Sequence, residues 1–258
     1  MTSRQALIIV VPENQNDANY NLPIVGNDAA QLERSLRRSD YVVRCIGTGS
    51  PSETSRGSIH SAIKKACLEA EENGTLLIFF SGHGFNIAGH DYLVPWDADI
   101  ADAAAADFLI KIGDVSKHVQ NSKAGTIVFF IDACRQGILP RESKSASLAH
   151  WSLEKRNRVR SQKYAIVFSC NAGQYSSYVG GTSGFSLFSR AVSEALDTND
   201  SAMTLGQVIA SAQKRLDSIA YENGKPRQTI RLSTESDSKS DISKDVICDG
   251  TPSGKKRS

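Results

Sequence analysis

One cysteine and one histidine of this sequence directly follow apolar segments with the length and composition of buried β-strands. Cys134 lies in the run Ile131-Asp132-Ala133-Cys134-Arg135-Gln136-Gly137, and His83 lies in Phe80-Ser81-Gly82-His83-Gly84, roughly 50 residues earlier. The carboxyl ends of neighbouring parallel strands open on one crevice of an α/β sheet, so residues far apart in sequence can meet there. A thiol beside an imidazole can attack an amide carbonyl. The two motifs therefore predict a cysteine nucleophile, Cys134, with His83 as its base.

The other cysteines and histidines have less reactive settings. Cys45 and Cys67 occupy apolar positions of a predicted strand and helix, and we interpret them as packing residues. Cys170 ends a predicted strand near the same crevice, so both packing and pocket lining remain open for it. We interpret the remaining histidines as non-catalytic, with His60 on an exposed helix face and His118 at a helix end; the other two are His90 and His150.

The composition indicates one α/β domain of a protein with reduced thiols. The 258 residues carry 30 basic and 28 acidic side chains, and a net charge of +2 gives no general attraction to nucleic acid or to an anionic membrane. We find neither a signal peptide nor an apolar run near the roughly 20 residues that cross a bilayer, so we expect a cytoplasmic protein. The five cysteines form no Cys-x-x-Cys pair, which argues against a structural zinc site and a disulfide framework.

Strand-like and helix-like segments alternate along most of the chain. Fully apolar strands separated by amphipathic helices predict a parallel sheet that is covered on both faces. We predict helices over residues 27–38 (capped by Asn27), 58–72, 113–120, 185–196 and 205–220, and strands over 6–11, 41–46, 75–80, 91–94, 126–131, 164–169 and 228–232.

Two segments lack this alternation. Residues 138–163 are basic and without apolar periodicity, so we expect a long mobile loop there. Residues 233–258 contain few large apolar side chains and are predicted to form a disordered tail. The expected domain therefore spans residues 1–232. We find no internal repeat and no phosphate-binding loop.

Several motifs together resemble the caspase and metacaspase clan, and its metacaspase-like, prokaryotic branch in particular. They include Gly26-Asn27-Asp28-Ala29, Ser81-Gly82-His83-Gly84, Tyr92-Leu93-Val94-Pro95 and Asp132-Ala133-Cys134, within a resemblance that runs from Ala6 to about Leu196. The resemblance implies a three-layer caspase-like fold, with a mostly parallel central sheet of about six strands and helices on both faces. It also implies a cysteine endopeptidase with a Cys134/His83 dyad, and an oxyanion site formed by the backbone N–H groups of Gly84 and Cys134.

The same resemblance suggests the residue after which the protein cuts. Animal caspases carry Gln two residues before the cysteine, whereas this chain carries Asp132. In metacaspase-like members this aspartate, with residues that match Asp28 and Ser81, lines a pocket for Arg or Lys. Two carboxylates in a partly desolvated pocket repel each other until a cation neutralises them. We therefore expect cleavage after a basic residue, although Asp28 as a helix-start acid and Asp132 as a polar strand end remain alternative explanations.

Regulation is implied by the resemblance rather than by the residues. The loop over 138–163 lies where the family often carries the processing segment of a zymogen, and Arg141 and Lys155-Arg156-Asn157-Arg158 would suit self-cleavage, with a solvated charge run as the alternative. Many metacaspases require calcium. Asp97, Asp99 and Asp102 form an acidic cluster here, but the spacing does not match an EF-hand, so we assign no metal and no required cofactor.

Three functional hypotheses follow. The first is a regulated effector protease of a stress, cell-death or defence pathway, with a protein or peptide substrate that carries a basic residue at P1 and an activating protein partner. The second is a catalytically silent caspase-like interaction module, to which the basic tail with Lys255-Lys256-Arg257 would recruit a partner. The third is a flavodoxin-like ligand-binding domain, which fits the alternation but gives no reason for the paired motifs.

Overall fold

The computed structural model describes residues 3–100, 105–135, 163–197, 201–234 and 242–249. The strands are β1 (Arg4–Val10), β2 (Val42–Ile46), β3 (Thr75–Ser81), β4 (Gly84–Ile87), β5 (His90–Leu93), β6 (Ile110–Lys111), β7 (Thr126–Asp132), β8 (Lys163–Phe168), β9 (Tyr178–Val179), β10 (Phe185–Ser186), β11 (Met203–Thr204), β12 (Arg231–Thr234) and β13 (Val246–Cys248). The helices are α1 (Val25–Arg38), α2 (Arg56–Glu69), α3 (Ala105–Phe108), α4 (Ile112–Val119), α5 (Leu187–Asp197) and α6 (Leu205–Glu222).

Six strands form the central sheet in the order β12-β8-β7-β3-β1-β2. Neighbouring strands from β8 to β2 run parallel, and β12 pairs with β8 in the antiparallel direction at the edge. The strands at the centre of the sheet are apolar almost throughout because both faces of the sheet are covered. The predicted mostly parallel sheet of about six strands is confirmed.

Alternate side chains of the strands divide the core into two layers. Ile8, Phe79 and Phe130 pack with helices α1, α5 and α6 on one face. Ile9 and Ile78 pack with α2 and α4 on the other. The two-residue period of a strand therefore produces the three-layer arrangement.

The predicted cap of α1 is wrong, and one predicted strand lies outside the central sheet. Asn27 does not cap α1, which begins at Val25; its side-chain amide instead donates to the carbonyl oxygens of Thr182 and Gly184 at 3.1 and 2.8 Å. The strand predicted over 91–94 is β5, and it belongs to a separate antiparallel sheet with β4 and β6. Strand β5 pairs with β4 as a hairpin, because a short turn rather than a crossover helix connects the two strands.

The predicted disordered tail is wrong for residues 242–249. Strand β13 pairs with β11, and Ile242, Ile247 and Cys248 are buried. Asp245 accepts a hydrogen bond from Thr126 and forms an ion pair with Lys163. This short segment carries enough apolar side chains to join the core, although its overall composition is polar. Residue 233 also belongs to β12.

Other predictions fall on residues outside the described part of the chain. The basic loop over 138–163 lies there except for Lys163, which begins β8, and so do its candidate cleavage positions and His150. Within the described ranges, no helix combines the length and apolar character needed to cross a membrane.

Candidate active site

The register of two parallel strands brings the histidine and cysteine motifs to one edge of the sheet. Ser81 at the end of β3 pairs with Asp132 at the end of β7, and the Gly82 N–H donates to the Asp132 carbonyl at 3.1 Å. His83 and Cys134 each follow their paired residue by two positions. The two motifs therefore lie at the carboxyl ends of neighbouring parallel strands, where an α/β sheet forms a crevice.

Gly84 allows the two chain segments to approach each other closely. A Cβ atom at this position would lie 2.9 Å from the Ala133 Cβ and 2.9 Å from the Cys134 carbonyl oxygen. Contacts that short do not occur, so a larger residue would push the histidine segment away from the cysteine segment. Gly84 also begins β4, and the Val94 N–H donates to the His83 carbonyl at 3.0 Å, which fixes the backbone on the other side of the imidazole.

The His83 imidazole is held on one side and unpaired on the other. Burial lowers the pKa of His83 below its usual value, and a hydrogen bond from the ring to the Tyr20 backbone raises it in part. The Tyr20 ring meets the imidazole edge-on, with centroids 5.3 Å apart. Nε2 of His83 is buried and has no hydrogen-bond partner. This nitrogen is therefore available to exchange a proton.

The Cys134 thiol is partly buried and points toward the loop after β8. Its Sγ lies 3.8 Å from the Ser176 carbonyl oxygen, to which it donates. Burial raises the pKa of Cys134, a backbone hydrogen bond from Ser176 to the sulfur lowers it in part, and the Asp132 carboxylate raises it further. The raised thiol pKa and the lowered histidine pKa together favour a neutral thiol beside a neutral imidazole when no substrate is bound.

Hydroxyl groups surround the carboxylate of Asp132 beneath the nucleophile. Ser176 Oγ donates to Oδ1 at 2.7 Å, and Ser189 Oγ donates to Oδ2 at 2.6 Å. The Ser189 N–H, in the first turn of α5, lies 3.3 Å from Oδ2, where the helix dipole favours negative charge. Burial still raises the pKa of Asp132 above the usual value, although the hydrogen bonds from Ser189 and Ser176 lower it in part.

Asp28 is the second buried acid of this region, and one of its oxygens has no partner. It is only 1% exposed, and its Oδ1 accepts a hydrogen bond from the Ser186 N–H at 2.9 Å. Oδ2 is buried without a hydrogen-bond partner. Burial, and then repulsion from Asp132, raise the pKa of Asp28 to about 8. The carboxyl is therefore largely protonated at neutral pH and would ionise beside a cation.

The sequence predicted three candidate pocket residues but not the serines that hydrogen-bond to Asp132. Ser81 is buried at the end of β3, in register with Asp132, so it lies at the same edge of the sheet as the acid pair. Ser176 and Ser189 belong to segments after β8 that were interpreted only as a loop and a helix. The polar loop after β8 was the available signal for Ser176. Ser189 lies on a buried helix face that sequence pattern alone assigns to packing.

Arg135 connects the cysteine segment to the hairpin of β4 and β5. Its guanidinium forms a bidentate ion pair with Asp91, at 3.1 and 2.7 Å, and both side chains are nearly buried. The guanidinium also donates to the Cys170 carbonyl at 3.3 Å and lies 4.0 Å from the centre of the Phe168 ring. Asn86 donates to the same carboxylate at 2.8 Å. These contacts fix the position of the residue directly after Cys134.

The neighbouring cysteine and the acidic cluster have structural contacts of their own. Cys170 is buried, and its Sγ lies 3.4 Å from the Gln174 carbonyl oxygen, which favours the packing interpretation. Asp97 accepts a hydrogen bond from the Arg56 N–H at the start of α2, at 2.8 Å. Asp102 lies outside the described residues. Among the residues that are described, no three His, Cys, Asp or Glu side chains converge as metal ligands would.

Comparisons with known proteins identify a family and a fold. Residues 3–239 match the caspase domain family, peptidase C14. The structure is similar to that of caspase-1 from Spodoptera frugiperda, with a TM-score of 0.57 over 90% of this chain and 86% of that chain, at 15% sequence identity. That similarity concerns the fold alone. No curated protein matches the sequence.

Proposed function

The chain belongs to the caspase domain family of cysteine peptidases, peptidase C14, and from this premise we propose that it hydrolyses peptide bonds after Arg or Lys with Cys134 and His83. The observation that carries the proposal is the pair of buried acids, Asp28 and Asp132, beside the segment that presents Cys134. An enzyme that accepts an acidic P1 residue would place cations there instead.

The proposed reaction starts from the neutral pair. His83 takes the thiol proton of Cys134 as the sulfur attacks the carbonyl carbon of the substrate, and the imidazolium then protonates the leaving amine. The backbone N–H groups of Gly84 and Cys134 would donate to the oxyanion of the tetrahedral intermediate. The hydrogen bond from the imidazole to the Tyr20 backbone orients the ring, which leaves the unpaired Nε2 for proton transfer. Hydrolysis of the acyl-enzyme by water completes the cycle.

Asp28 would make the direct contact with the basic side chain. Both oxygens of Asp132 already accept hydrogen bonds from serine hydroxyls, whereas Oδ2 of Asp28 has none. A guanidinium or ammonium that enters the pocket supplies the missing donor and the missing positive charge. Asp132 then contributes mainly its negative potential, and Ser81 lines the same edge.

The experiment that tests this function compares fluorogenic peptides that differ only at P1. We expect the wild-type protein to cleave Arg and Lys peptides and to leave Asp and norleucine peptides intact. Cys134→Ala should abolish cleavage, and Cys170→Ala, which removes the buried neighbouring thiol, should retain it. Activity that persists in Cys134→Ala would refute the proposed nucleophile, and cleavage of the Asp peptide alone would refute the proposed pocket.

Regulation is tested with the same proteins. Each assay is run with and without calcium. Activity that depends on calcium would mean that the protein has a calcium site, to which no residue has been assigned. Wild type and Cys134→Ala are also compared on a denaturing gel after incubation. Fragments that appear only in the wild type would support self-cleavage, and intact bands in both would contradict it. If no peptide is cut under any condition, the silent interaction module becomes the better explanation.

A further inference from the structure

Two histidines on neighbouring helices face each other on the side of the sheet opposite to α1, α5 and α6. His60 belongs to α2 and His118 to α4, and both are half-buried rather than fully exposed. Nδ1 of His60 lies 3.2 Å from Nε2 of His118, with ring centroids 5.5 Å apart and ring planes inclined at 72°. The proposed peptidase reaction uses neither residue. The sequence interpretation of His60 as an exposed residue is thus wrong.

The distance between these two nitrogens is one that metal ligands adopt. Bonds from Zn²⁺ to histidine nitrogen are about 2.0–2.1 Å long, and tetrahedral angles then separate two ligating nitrogens by about 3.3 Å. The pair therefore has nearly the required spacing before any metal is bound. A metal between the rings would replace their single hydrogen bond by two bonds to nitrogen.

The ionisation of both rings also suits a metal. Burial, followed by the neighbouring His118, lowers the pKa of His60 below the usual value. Burial, followed by the positive charges of Lys64 and Lys117, lowers the pKa of His118. A neutral imidazole is the form that donates a lone pair to a metal.

A carboxylate near the pair can complete the coordination. Asp114 precedes His118 by four residues on α4, so the two side chains share one helix face. The negative charge of Asp114 raises the pKa of His60 in part, and the carboxylate forms an ion pair with Lys117 at the surface. Since no third ligand is already in place among the described residues, water and a rotated Asp114 would fill the remaining positions.

We propose that His60 and His118 form a binding site for a transition-metal dication, Zn²⁺ in particular, that cross-links α2 to α4. Imidazole nitrogen suits Zn²⁺, Cu²⁺ and Ni²⁺, whereas Ca²⁺ and Mg²⁺ prefer oxygen ligands. A metal bound only by the folded protein stabilises it by mass action, so thermal unfolding reports occupancy. This site is independent of the proposed peptidase activity.

The test uses the full chain with Cys134→Ala, because that substitution removes one of the two partly exposed thiols of the described residues as a competing ligand. Calorimetric titration with Zn²⁺ or Ni²⁺ should give one ion per chain and raise the thermal midpoint, and Ca²⁺ should do neither at this site. His60→Gln and His118→Gln should each weaken binding at least tenfold. His90→Gln, at an exposed histidine of the β5 hairpin, is the matched control and should leave affinity unchanged.

A second measurement counts the ligands directly. The electron paramagnetic resonance spectrum of bound Cu²⁺ should show coupling to two nitrogens in the parent protein and to one in either single variant. Circular dichroism without metal establishes that each variant folds, and if one does not, the other variant decides. Affinity that is unchanged in a folded His60 or His118 variant, or an equal loss in His90→Gln, would overturn the site.

Discussion

The proposed contact between Asp28 and a basic P1 residue predicts a release of protons when substrate binds. Asp28 is almost fully buried, Asp132 lies close enough to raise its pKa, and that pKa is about 8. At pH 7 the Asp28 carboxyl is protonated in about nine-tenths of the molecules, and at pH 9 in only about one-tenth. Because a cation binds the ionised form, binding should release about 0.9 proton from Asp28 at pH 7 and about 0.1 at pH 9.

The same values set the change in affinity. Ionising Asp28 at pH 7 costs about 1.4 kcal/mol, so binding of an Arg peptide should strengthen about tenfold between pH 7 and pH 9. Asp28→Asn keeps an oxygen for the Ser186 N–H but cannot ionise. Removal of one member of a buried charge pair costs about 2–5 kcal/mol, so this variant should bind the Arg peptide at least about 30-fold more weakly.

The assay is calorimetric titration of an Arg peptide into Cys134→Ala protein, which binds but does not cut. Heats measured in phosphate and in Tris at the same pH give the number of protons released. Asp40→Asn makes the same chemical change at an exposed aspartate and is the matched control. A norleucine peptide shows how much binding needs no cation. The reasoning is refuted if Asp28→Asn and Asp40→Asn release equal numbers of protons at pH 7, or if affinity for the Arg peptide falls toward pH 9.

Three further predictions concern stability. The pKa of Asp28 in the folded protein is about 8, above its usual 3.8, so the stability that its proton contributes is complete below about pH 4 and is lost as pH rises through about 8. The thermal midpoint of the wild type should therefore fall more steeply over that window than that of Asp28→Asn. Parallel curves for the two proteins would contradict this. Asp91→Asn, in the buried ion pair next to the nucleophile, should lower the free energy of unfolding by about 3–5 kcal/mol in urea denaturation, while Glu69→Gln in an exposed pair should change it by less than about 1 kcal/mol. Ile247→Ala should lower the free energy of unfolding by about 2–5 kcal/mol, because this side chain of the C-terminal segment is fully buried. Val246→Ala, at the exposed neighbour, should change it by no more than about 0.5 kcal/mol. Equal effects would refute the packing of that segment against the domain.

The sequence predicted most of the architecture because its strands are continuous apolar runs and its helices carry one apolar stripe. Strands β3 and β7 were expected within one or two residues of their observed ends, and each ends just before a reactive residue. Local pattern failed where the chain pairs with a distant segment. Val246–Cys248 is only three residues long, so its pairing with β11 left no periodic signal in a polar tail.

The sequence by itself determined the candidate chemistry, because a cysteine and a histidine at the ends of two buried strands can meet only at one edge of a parallel sheet. It also supplied the two aspartates. Only the tertiary structure decided how these acids differ: serines brought in after β8 saturate the carboxylate of Asp132, while one oxygen of Asp28 stays buried and unpaired. Hydrogen bonds and desolvation depend on neighbours in space, and for these residues those neighbours lie more than 40 positions away along the chain.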